Sequence, residues 1–176
     1  MIGELLNRIT NALEEAKIPF MVSGSMALIV YTVPRMTRDI DIVIELNRLD
    51  IERFCAIFKE GYYIDPLTVA EEVQRHGMFN VIDFETGYKI DFMVRKNEAY
   101  RKNEFDRRVR GIVMDCETWL VTVEDLILSK LIWIQELQSD RQMSDIENLL
   151  ENPTVDRDYV NYWCKELNLT TFNLIK

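Results

Sequence analysis

Histidine is nearly missing from this sequence: among 176 residues there is one, His76, set before Gly77 in an apparent surface loop. Histidine-based acid–base catalysis and a histidine-held zinc site therefore have little to stand on. Cysteine is almost as scarce. Cys55, Cys116 and Cys164 are odd in number, scattered and without a CxxC pair. They read as small buried hydrophobes in a reduced, cytoplasmic protein and not as a disulfide framework. No apolar run reaches the roughly 18–20 residues that a membrane span needs. The first seventeen residues alternate apolar with polar side chains, so they read as an amphipathic helix and not as a signal peptide. Positive charge is also in deficit. The formal net charge is −9, which argues against generic nucleic-acid binding.

With 48% hydrophobic and 29% charged residues, the chain can build a core and stay in solution. Helical spacing covers 4–17, and Ile18 to Ser23 reads as a short strand ending at Gly24-Ser25. A helix restarts over 26–31, and Thr37 to Glu45 is a second strand. Helical patterns follow over 49–59 and 69–75. Met78 to Phe84 and Tyr88 to Val94 flank Glu85-Thr86-Gly87 as a hairpin. Further strands are expected over 108–114 and 118–121. After Thr122 the pattern turns helical, over 123–137, 143–150 and 159–167. The chain thus divides into an α/β part, 1–121, and a helical C-terminal part, 122–176. No Gly/Pro/Ser linker separates them, so the second is expected to pack directly on the first. Trp119, Trp133 and Trp163 lie in apolar patterns and read as core. Tyr62-Tyr63 is expected to close a helix end.

Charge is unevenly spread. Residues 95–110 hold seven basic against three acidic side chains, a net of +4, whereas 111–176 carry twelve acids and five bases, a net of −7. The basic stretch is a solvated helix and turn, or a phosphate-attracting rim beside the next feature.

That feature is three aspartates in two apolar strings. Asp39 and Asp41 stand two apart in Asp39-Ile40-Asp41-Ile42-Val43-Ile44, and Asp91 sits in Lys89-Ile90-Asp91-Phe92-Met93-Val94. Alternation on a strand places Asp39 and Asp41 on one face. Carboxylates so close repel one another and lose hydration, so they are paired with cations or hold a metal. An ion-pair network with Arg35, Arg38 and Lys89 is the plain alternative. Thirteen residues separate Gly24-Ser25 from Asp39. A glycine beside a small hydroxyl at a helix start lets backbone N–H groups approach a phosphate, and Ser25 also suits an N-cap. An Asp-x-Asp pair suits Mg²⁺, which takes a few carboxylates together with substrate phosphates. A third acid on a neighbouring strand permits two ions and an in-line phosphoryl displacement.

Val22-Ser23-Gly24-Ser25 followed by Asp39-Ile40-Asp41-Ile42 resembles the hG[GS]…DhDh signature of the polymerase-β-like nucleotidyltransferases, with Asp91 as the third acid. Gly24-Ser25-Met26-Ala27-Leu28, Arg35-Met36-Thr37-Arg38-Asp39-Ile40-Asp41, Gly77-Met78-Phe79-Asn80-Val81-Ile82-Asp83 and Thr122 to Leu131 resemble the small AbiEii/MenT-like bacterial members. The resemblance implies a mixed sheet flanked by helices, a helical C-terminal part and transfer of NMP from an NTP to a hydroxyl acceptor. It further implies Asp39, Asp41 and Asp91 as catalytic metal ligands for Mg²⁺, in a two-ion arrangement. Gly24, Ser25, Lys130 and Asp145 would bind nucleotide, although a snorkelling lysine and an aspartate near a helix start are the plain alternatives for the last two. AbiEii/MenT-like members imply a tRNA acceptor, held here by Arg101, Lys102, Arg107 and Arg108, and an antitoxin partner. A small-molecule acceptor of the antibiotic type, a protein hydroxyl and a non-catalytic nucleotide- or partner-binding role are the alternatives. Arg38, on the opposite strand face from Asp39, is expected at the rim.

Overall fold

The computed structural model describes residues 1–33, 37 and 39–175. The chain begins with α1 (Ile2–Glu15), β1 (Phe20–Val22), α2 (Gly24–Tyr31), β2 (Asp39–Ile44), a 3-10 turn (Arg48–Asp50) and α3 (Ile51–Ile57). Next come β3 (Tyr62–Tyr63), α4 (Pro66–Arg75), β4 (Met78–Asp83), β5 (Lys89–Val94) and α5 (Ala99–Asp106). It ends with β6 (Val109–Val113), β7 (Cys116–Leu120), α6 (Val123–Glu136), α7 (Asp140–Leu150) and α8 (Arg157–Glu166). The strands form one seven-stranded sheet in the order β3-β4-β5-β2-β1-β7-β6. Pairing of β2 with β5 and of β1 with β7 is parallel, and the rest is antiparallel. The mixed α/β sheet flanked by helices is the fold class expected.

Each face of the sheet has its own core. Ile40, Ile42 and Ile44 of β2, Ile90, Phe92 and Val94 of β5, and Phe79 and Val81 of β4 pack with Leu5, Leu6, Ile9 and Leu13 of α1 and with Phe54 of α3. Phe54 meets Phe79 and Phe92 edge-on, at centroid distances of 5.4 and 5.1 Å. On the opposite face Met21 of β1 and Ala27 and Leu28 of α2 join Leu126, Ile127, Leu128, Leu131 and Ile134 of α6. Ile146 and Leu149 of α7 and Val160 of α8 complete this second core.

Several boundaries differ from the sequence reading, each for a local reason. The helix expected over 49–59 is divided, because Asn47 accepts from Leu49 N–H at 2.9 Å and makes a capping box with Asp50 around a 3-10 turn. α4 begins at Pro66 and not at Val69: Asp65 caps Leu67 N–H at 3.1 Å, and proline suits the first helical position. Tyr62-Tyr63 is not a helix closure. It pairs with Ile82 and Asp83 as an edge strand. Trp133 is not core, since it stands 60% exposed on α6. His76 is half-buried at the C-cap of α4, with Nδ1 2.8 Å from Arg95 O and Nε2 3.1 Å from Asn97 Nδ2.

The basic stretch does not form an open rim. Arg101 bonds Glu104 and Ser129, each at 2.8 Å. Arg107 donates to Asp125 at 3.0 Å and Glu124 at 3.3 Å. Arg108 donates to Phe105 O at 2.8 Å and lies over the rings of Phe105 and Trp119. Arg110 pairs with Glu14 and Glu117. Of the four residues expected to hold tRNA, Lys102 alone is exposed. Arg101 and Arg107 instead fasten α5 to α6, and Arg107 lies over the Tyr159 ring of α8 and bonds Asp125, which is fully buried and also accepts from Thr122 Oγ1 and Tyr159 Oη, both at 2.8 Å. Removing one partner of a buried ion pair strands the other charge. Asp125→Ala is therefore expected to destabilise the fold by about 3 kcal/mol, the low end for such pairs because Arg107 keeps a third of its surface in water. Urea unfolding measures it, and a loss below 1 kcal/mol would show that the network carries no such weight.

Candidate active site

The pairing of β2 with β5 sets the geometry. Parallel register places Asp41 directly beside Asp91 and Asp39 directly beside Lys89. Across β4, Asn80 lies opposite Asp91 and Ile82 opposite Lys89. Because Ile40, Ile42, Ile90 and Phe92 take the other face into the first core, strand alternation leaves all three acids on the second. Asp39 is exposed, Asp41 half-buried and Asp91 buried.

The link from β1 to α2 closes over Asp41. Ser23 N–H donates to Asp41 O at 2.9 Å, and Ser25 N–H donates to Asp41 Oδ2 at 3.2 Å. Gly24, between them, has φ +54°, and a Cβ there would lie 2.0 Å from Asp41 Oδ2. Only glycine allows this turn to sit so close to the carboxylate. The side chain of Ser23, the N-cap of α2, makes no cap hydrogen bond, and the turn's amides and the positive end of α2 face the acid cluster.

Burial pushes the Asp41 carboxyl above its ordinary range. The Ser25 amide opposes that shift, Asp91 and Asp39 add to it, and Lys130 pulls it down. On the next strand Lys89 Nζ lies 2.9 Å from Asp91 Oδ2. This pairing is the part of the ion-pair alternative that lies within the described residues; Arg35 and Arg38, with their expected pairing and rim roles, lie outside them.

Lys130 of α6 and Asp145 of α7 come together as a buried pair, with Nζ 2.8 Å from Asp145 Oδ2 and 2.8 Å from Gln142 Oε1. Sequence reading missed Gln142, although its place three residues before Asp145 puts both on one helix face. It also missed Asn80, which the alternation of β4 brings beside Asp91.

Among the described residues no three His, Cys, Asp or Glu side chains converge as a ready metal cage. Asp41 and Asp91 nevertheless offer adjacent hard oxygens. The unfavourable charge on Asp41 is the kind that a divalent cation relieves. The donor set fits Mg²⁺, which takes one or two carboxylates and draws its other ligands from water and phosphate.

No curated protein sequence matches this one. The fold is similar to that of ANT(2")-Ia in complex with adenylyl-2"-tobramycin, with 15% identity, a TM-score of 0.63, and coverage of 94% of this chain and 95% of that one. It is also similar to the lincomycin-bound lincosamide antibiotic adenylyltransferase LnuA (16%, TM-score 0.59, 84% and 96% covered). A third similar structure is TM1012 from Thermotoga maritima (14%, TM-score 0.53, 94% and 91% covered). At these identities the likeness is one of fold. The sequence itself matches a family model over residues 1–169, and the chain belongs to the family described as nucleotidyltransferase of unknown function (DUF6036).

Proposed function

We propose that the protein transfers a nucleotidyl group from an NTP to the hydroxyl of a small acceptor, with release of pyrophosphate. The observation that carries this reading is the placement of Asp41 beside Asp91, with the Gly24 turn closed over Asp41. Asp41 and Asp91, with Asp39 on the same face, would hold Mg²⁺, which when bound would supply charge neutralisation on the phosphates and alignment for in-line attack. The amides of Gly24 and Ser25 hold the triphosphate, as does the Lys130 ammonium, oriented by Asp145 and Gln142. Asp91 accepts the proton of the attacking hydroxyl.

The charge layout supports a small acceptor. Arg101 and Arg107 are committed to buried acids and Arg108 to two aromatic rings. A tRNA acceptor, and with it the antitoxin partner that the AbiEii/MenT resemblance implies, would need a broad basic face. The likeness in fold to ANT(2")-Ia, seen with adenylyl-2"-tobramycin, and to lincomycin-bound LnuA agrees with a small hydroxylated substrate. Incubation of the protein with each α-labelled NTP and Mg²⁺, against tobramycin, lincomycin and total tRNA as probes, tests this. Label on a small acceptor supports the reading. Label on tRNA alone overturns the choice of acceptor, and no NTP binding overturns the whole.

Asp41→Asn is expected to keep the Ser25 bond through its amide oxygen while losing the charge. Loss of one ligand of this kind removes several kcal/mol of transition-state stabilisation, so transfer should fall about 1,000-fold. The sign for stability is the opposite. A carboxyl whose folded pKa is raised carries a penalty that sets in as pH rises above the ordinary carboxylate range, and it is complete above the raised value. The asparagine variant escapes it and should melt about 3 °C higher at neutral pH, an advantage that vanishes in acid. Calorimetry across pH reads this directly, and a lower melting temperature at pH 7 would contradict it.

Gly24→Ala is expected to lose NTP binding. The new methyl group drives the Asp41 carboxylate from its place, and the positive φ adds about 1–2 kcal/mol of strain. Fluorescence titration with labelled NTP checks this; binding equal to wild type would mean that the turn plays no part in phosphate recognition.

A further inference from the structure

Lys89 is the one cation that the two acid-bearing strands place on the face of the cluster among the described residues. It stands two residues before Asp91 on β5, hence on the same face, and is the direct register neighbour of Asp39 on β2. Its other register neighbour, Ile82 of β4, is uncharged, and Asn80 faces Asp91. The charged groups around the ammonium are therefore Asp91, Asp39 and, through Asp91, Asp41. Its Nζ lies 2.9 Å from Asp91 Oδ2, on a carboxylate 12% exposed, while the Lys89 side chain itself is 44% exposed.

These facts give the ammonium two properties. It neutralises charge at Asp91, as the Ser25 amide and Lys130 do at Asp41, since unpaired carboxylates held side by side are costly. It is also free to leave, because a lysine has a flexible four-carbon stem and this one keeps nearly half its surface in water.

We propose that Lys89 is a built-in counter-cation of the acid cluster, which occupies Asp91 until a nucleotide arrives and so makes divalent-ion binding conditional on the triphosphate. The inference rests on the nucleotidyl-transfer reading. A divalent ion entering alone must compete with the ammonium for Asp91 and suffers its repulsion at short range. When the ion enters with a triphosphate, Lys89 gains phosphate oxygens as new partners and swings to them, so Asp91 is vacated for the ion and the ammonium is held by phosphate charge instead. Binding of ion and nucleotide is thereby coupled through a residue that need not contact the ion.

The test is Mn²⁺ titration of the full chain, followed by the paramagnetic resonance signal of free Mn²⁺. It is run without nucleotide and with the α,β-methylene analogue of each of the four NTPs in turn. Wild type should bind Mn²⁺ weakly alone and much more tightly with an analogue. Lys89→Met should bind Mn²⁺ alone about tenfold tighter, with the enhancement by analogue reduced by the same factor. Lys89→Arg, which keeps the charge, should behave as wild type. Unchanged or weaker Mn²⁺ binding by Lys89→Met, beside a wild type that binds Mn²⁺ with an analogue, overturns the role of Lys89 and leaves the functional reading standing. A wild type that takes up no Mn²⁺ under either condition overturns both.

Discussion

Two carboxylates made neighbours by parallel strand pairing set the terms for much of this molecule. Once β2 and β5 pair in register, Asp41 and Asp91 have no freedom to move apart. Their backbones are fixed by the ladder and their opposite faces by a core of isoleucine and phenylalanine. The local devices are all responses to that constraint. A left-handed glycine lets the β1–α2 turn bring an amide to Asp41. A lysine one alternation away reaches Asp91, and the charge of Lys130 on α6 is felt at Asp41. Stability and chemistry pull in opposite directions here, as is common where a site stores unfavourable charge.

A different use of charge holds the rest together. Of the arginines that follow β5, Arg101 and Arg107 are spent inward on the buried acids Glu104, Glu124 and Asp125, while Arg110 pairs at the surface with Glu14 and Glu117. A net charge of −9 thus coexists with a segment of net +4 in which Arg101, Arg107 and Arg110 are matched by acids and Lys96 and Lys102 stay exposed. These contacts secure α5 against the helix that carries Lys130, so the phosphate-binding lysine proposed here is positioned partly by side chains far from it in sequence.

What could be read from the sequence followed from periodicity and punctuation. Alternation identified β2 and β5 as strands and the face shared by Asp39 and Asp41, and Glu85-Thr86-Gly87 marked the hairpin. The pairing partners of the arginines were not legible, because a basic run looks the same whether its side chains meet water or buried acids. Tyr62-Tyr63 is too short to carry a period, so its place as an edge strand is decided by β4 alone. Trp133 misled for the reverse reason: an apolar neighbourhood along the chain is not a buried face, and its side chain turns outward. Register was beyond reach as well, so the adjacency of Lys89 to Asp39 and of Asn80 to Asp91 emerged only from the sheet.

The second core has one consequence for how such a chain can change through descent. Met21 of β1 and Ala27 and Leu28 of α2 share that core with α6, α7 and α8, which are drawn from a stretch about a hundred residues later. A genetic exchange near Val121 would give the front half new helices whose side chains had never been fitted to Met21, Ala27 and Leu28. Such a hybrid would inherit a poorly filled interior next to the turn that shapes Asp41. The helical end and the front half of the chain are therefore expected to change together, by paired substitutions across this core, more readily than by exchange of one for another.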